Sequence, residues 1–90
     1  MEIPNKLKIG ANDVDVELMK PADIDDEHNG GAASWEQNWI RLSNDMPEDR
    51  TGAAFLHEIL HLVNIYLTEE ETTYLSESLY QVLHDNKLRF

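Results

Sequence analysis

Two short alternations open the chain. Leu7 and Ile9 share one face of a strand, and Val14, Val16 and Leu18 share one face of another. Between them lies Gly10-Ala11-Asn12-Asp13, a turn by composition, so residues 6 to 18 predict a hairpin. A polar connector follows. It holds Pro21, the acids Asp23, Asp25, Asp26 and Glu27, and then Asn29-Gly30-Gly31. Residues 33 to 43, ASWEQNWIRLS, predict a third strand in which Ile40 and Leu42 alternate with Arg41.

The period then changes from two to about 3.6. Leu56, Ile59, Leu60 and Val63 recur at spacings of three and four, the stripe of an amphipathic helix. Asp45 offers a cap, Pro47 suits a first turn, and Glu48 and Asp49 suit the positive end of a helix dipole. The helix is expected over about 46–66. Thr68 with Glu71 three residues on forms a capping box for a second helix over about 69–85. Leu75, Leu79, Val82 and Leu83 are its expected buried face. Strands first and helices second predict an α+β fold: a small three-stranded sheet, antiparallel or mixed, with two helices packed on one face.

With 90 residues the chain is expected to form one domain, 1–90, with strands within about 6–43 and a short tail after the second helix. So small a domain has room for one core and one site, and a bound metal would help hold it together. The net charge of −11, from 18 acidic and 7 basic residues, argues against binding nucleic acid through its phosphates. No apolar run is long enough to span a membrane, and MEIPNKLKIG lacks the long apolar run expected of a secretory leader. Cysteine is absent, so the cytoplasm is the expected compartment, and the chain is expected to act as a monomer.

The chemistry lies in His57-Glu58-Ile59-Leu60-His61, an HExxH sequence on the first predicted helix. Residues four apart lie one turn apart on the same face, so both imidazoles can meet one zinc ion. Glu58 can then serve as the general base that takes a proton from water and passes it to a leaving amine. This is the residue set that metal-assisted peptide hydrolysis uses. A catalytic zinc usually has a third protein ligand. His28 in the acidic loop and His84 near the end of the second helix are weaker candidates than the carboxylates of that helix. If the helices form an antiparallel hairpin turning near Leu67-Thr68, the level of Ile59 falls near Leu75 to Glu77. Glu77 is therefore the favoured third ligand and Glu70 the alternative. Glu69, Glu70 and Glu71 also have a plain role at the helix N-terminus.

The segments MPEDR...FLHEILH and LTEEE...YLSESLYQVLHDN resemble small phage and prophage proteins described as metallopeptidases, and the minimal gluzincins. The resemblance covers about residues 27–86, and HExxH is its mechanistically specific part. It implies a zincin-like domain with His57 and His61 as zinc ligands, Glu58 as base and acid, and a glutamate of the second helix as third ligand. Members often carry an acid where this chain has Thr73. The resemblance also implies a peptide or protein substrate added in extended form to a sheet edge, for which Trp39 to Leu42 are the candidate strand. Trp35 and Trp39 would line its groove, and the tail, Lys87 to Phe90, would lie over the cleft. The alternative function is a binding module on the same fold, with structural zinc or none and no catalysis.

Overall fold

A computed structural model describes residues 2–24 and 30–88. The first hairpin forms as the alternation predicts. β1 (Lys6–Ile9) pairs antiparallel with β2 (Asn12–Met19), closing at Ile9 opposite Asn12. Gly10 has φ +60°, the left-handed backbone that primed hairpin turns need at their first central position. A 3₁₀ turn, Pro21–Asp23, follows β2.

The expected third strand is two strands. β3 (Gly31–Ser34) and β4 (Trp39–Ser43) pair antiparallel, with Ser34 opposite Trp39. Asn38, at φ 57°, turns the chain between them, and Ser34 Oγ accepts the Gln37 N–H at 3.1 Å. Asn tolerates this conformation better than most residues, and the hydroxyl satisfies a donor inside the turn. β4 also pairs with β2, in parallel, so the sheet is mixed and four-stranded in the order β1-β2-β4-β3. The α+β class stands. The strand proposed for substrate pairing does not, because β4 is bonded on both sides; β1 and β3 are the edges.

Val14 and Val16 of β2 and Ile40 and Leu42 of β4 point to one face and are buried. With Phe55 they form the core, joined by Leu7, Ala33, Ala54, Ile59 and Leu62. Full burial of side chains of this size contributes about 1.5–3 kcal/mol each. Asp13, Asp15 and Glu17 alternate to the exposed side. Trp39 shares the outer face of β4 with Arg41, whose guanidinium carbon lies 3.9 Å from the centre of its ring. Its indole N–H donates to Gln37 at 2.9 Å.

The first helix, α1 (Glu48–Val63), lies across β3 and β4. Asp45 does not cap it. The N-cap is Pro47, and the Asp45 N–H instead donates to buried Ser43 Oγ at 3.2 Å. The helix stops at Val63, a turn earlier than expected, where Asn64 becomes extended and its side chain accepts the Tyr66 N–H. The second helix, α2 (Glu69–Asp85), begins with the predicted capping box: Thr68 Oγ1 accepts from the Glu71 N–H at 3.0 Å, and Glu71 accepts from the Thr68 N–H at 2.9 Å.

α2 packs chiefly on α1 rather than on the sheet. Its buried residues are Thr72 and Ser76, while Leu75, Leu79 and Val82 remain exposed, contrary to the expected face. The reason is steric. The Tyr80 ring sits directly against Gly52 of α1, at a place a Cβ would occupy. Small side chains on both helices permit this close approach, and the leucine stripe is turned outward by it.

Candidate metal centre

His57 and His61 stand one turn apart on α1, as their spacing requires. Their Nε2 atoms lie 3.0 Å apart. Glu69, the first residue of α2, reaches across to both. Its Oε1 is 2.7 Å from His57 Nε2 and its Oε2 is 2.9 Å from His61 Nε2. These three residues form a group whose ligand atoms all lie within 4.8 Å of one another and could hold a metal ion. Around a tetrahedral ion with bonds of 2.0–2.1 Å, ligand atoms stand roughly 3.3 Å apart. The observed contacts, 2.7–3.0 Å, are a few tenths of an ångström shorter. Two imidazoles and one carboxylate are also a donor set that zinc favours.

Glu69, rather than Glu77 or Glu70, therefore meets the histidines. Glu77 lies two turns further along α2 and lines the same cleft without joining the group. The displacement follows from where α1 ends. Counting residues 64–66 as helix places the level of Ile59 near residues 75–77. With the true turn at 64–68, that level falls near Thr73, and Glu69 is one turn N-terminal to it on the same face. Thr73 lines the cleft and supplies no ligand atom to the group. In the sequence Glu69 reads as one of three acids at a helix N-terminus, so spacing alone does not single it out.

Glu58 follows His57 and is 7% exposed. Its Oε2 lies against Gly31 of β3, 3.2 Å from where a Cβ would be. The carboxylate thus sits between α1 and the edge strand, on the wall of a cleft of about 680 Å³. Gly30, Gly31, His57, Glu58, Glu69 and Thr73 line this cleft. So do Asp49, Tyr80, His84 and Asp85. There the Tyr80 hydroxyl donates to Asp49 at 3.0 Å, and the His84 ring stacks on Tyr80 at 5.6 Å. Burial, reinforced by Asp49, pushes the Tyr80 phenol above its usual range. His84 is also 3.3 Å from Asp85 and stays apart from the metal group.

Neither tryptophan lines this cleft: Trp35 is exposed in the β3–β4 turn and Trp39 lies on the outer sheet face. Lys87 and Leu88 do not line it either, and Arg89, Phe90 and His28 lie outside the described residues. Among the described residues, no helix is long and apolar enough to cross a membrane. No family model matches this chain, and comparison with curated proteins and with solved structures returns no match.

Proposed function

We propose that this protein is a zinc-dependent peptidase whose ligands are His57, His61 and Glu69 and whose general base is Glu58. The observation that carries the reading is the convergence of two imidazoles and a carboxylate on one point, with His57 and Glu69 of that group lining a cleft. An acid stands one residue from the first imidazole and faces the same cleft. Zinc held by this group would supply Lewis acidity, polarising a scissile carbonyl and bringing the pKa of water to about 7.

The chain's own residues do the rest. Glu58, held between α1 and Gly31, takes the proton of the attacking water and returns it to the departing amine. The protonated amine leaves, and the new carboxylate remains with the other fragment. β3 offers the free sheet edge beside Glu58 along which an extended peptide would pair, in place of β4. Asp49, Glu77 and Asp85 outnumber Arg50 along the rest of the cleft, which favours peptides with basic side chains.

Zinc loading of tag-free protein followed by a peptide-library digest tests this reading. Cleavage abolished by a chelator and by Glu58→Gln supports it. A zinc-loaded chain that cleaves no peptide, basic or otherwise, sinks it. A binding module on the same fold is the second reading, favoured by the exposed apolar stripe of α2.

A further inference from the structure

Leu75, Leu79 and Val82 are 43%, 44% and 45% exposed. Spacings of four and three place them on one face of α2, over about 10 Å of helix at 1.5 Å per residue. A continuous apolar stripe on a helix surface marks an interaction site more often than three scattered residues would. Glu71, Ser78 and Asp85 run at seven-residue intervals along one margin of the stripe. Glu71 accepts from the Thr68 N–H at 2.9 Å and Asp85 from the Gln81 side chain at 2.9 Å, and both exposed carboxylates make this margin acidic. α2 contains five acids, Glu69, Glu70, Glu71, Glu77 and Asp85, and no lysine or arginine.

We propose that this face docks a basic amphipathic helix of another protein, with apolar residues at i, i+4 and i+7 set between lysines or arginines. The apolar residues cover the stripe, and the basic ones meet the Glu71–Asp85 margin. A second copy of this chain is the poorer occupant. Face-to-face pairing would bring two such acid-rich helices together in a chain of net charge −11. The apolar stripe and Glu71 do not line the cleft, although Asp85 does, so the inference does not depend on the peptidase reading.

The test uses three synthetic helical peptides of about twenty residues: a Leu/Lys amphipathic sequence, its scramble of identical composition, and its Leu/Glu counterpart. Binding to the full chain is followed by titration calorimetry. The proposal expects the Leu/Lys peptide to bind at least about tenfold more tightly than either other peptide. Leu75→Gln with Leu79→Gln should remove that advantage. Glu71→Gln with Asp85→Asn, which keeps the cap's hydrogen bonding and the apolar stripe, should weaken binding several-fold and flatten its salt dependence. Equal binding of the scramble or of the Leu/Glu peptide overturns the proposal. So does a sedimentation experiment in which the wild type dimerises and the leucine variant does not, because the occupant is then a second copy.

Discussion

The Glu69 carboxylate bridges two histidines, with His57 Nε2 at 2.7 Å from one oxygen and His61 Nε2 at 2.9 Å from the other. Three elements create this relationship. The α1 helix presents both imidazoles on one face, Asn64 breaks the chain one turn after His61, and the capping box fixes where α2 begins. Glu69 sits immediately inside that cap, which fixes its place at the helix start. The candidate centre is built at a helix junction, where a one-turn error in either helix end would move the third ligand out of reach.

Replacing Thr68 by Ala tests that dependence. Loss of an N-cap of this kind costs about 1 kcal/mol. The expected result is a lower urea midpoint together with weaker zinc binding by titration, although Thr68 touches no ligand atom. Thr68→Ser should restore both.

The same cap carries a pH signature. Its hydrogen bonds lower the pKa of Glu71 in the folded chain. A depressed carboxyl contributes stability above its unfolded pKa of about 4.3 and loses it as pH falls through the lower folded value. Thermal melts across that acid range should show a stability loss that is smaller in Glu71→Gln than in wild type. Identical pH profiles for the two would remove the linkage.

Much of this architecture was legible in the residues. The Leu7/Ile9 and Val14/Val16 alternations and the Thr68-to-Glu71 box each act over a few positions, and local physics decided them; Leu18 and Val63, expected on buried faces, are exposed, and α1 meets the core through Phe55, Ile59 and Leu62. What escaped depends on contacts between distant segments. Asn38 splits a run that reads as one strand, and β4 gains a parallel partner in β2, which no local pattern encodes. The face of α2 was misread because burial was assigned to the largest apolar residues. Tertiary packing instead selected Thr72 and Ser76, because Gly52 draws the helices together at Tyr80.

Gly52 supplies a third prediction. A methyl group there would occupy the space of the Tyr80 ring. Overpacking of this kind costs about 1–3 kcal/mol, against a gain of about 1 kcal/mol in helix propensity. Gly52→Ala should therefore be net destabilising in denaturant titrations. Adding Tyr80→Ala should recover most of the helix–helix strain; if the double variant is no more stable than expected from adding the two single costs, the contact is not what limits the approach.

Glu58 separates catalysis from binding. Glu58→Gln keeps the side chain's size beside Gly31 and removes its basicity. With zinc content and melting temperature close to wild type, peptide cleavage should fall by about 10²–10⁴-fold, the contribution of a positioned general base. Undiminished cleavage would mean that another group moves the proton.

The most direct measurement is zinc content, by elemental analysis of tag-free protein for wild type, His57→Ala, Glu69→Ala and Glu77→Ala after identical zinc loading and dialysis. The account predicts one zinc per wild-type chain, loss of it in His57→Ala and Glu69→Ala, and retention in Glu77→Ala. A full complement in Glu69→Ala with loss in Glu77→Ala would contradict the assignment of the third ligand, and no zinc in the wild type would contradict the metal centre itself.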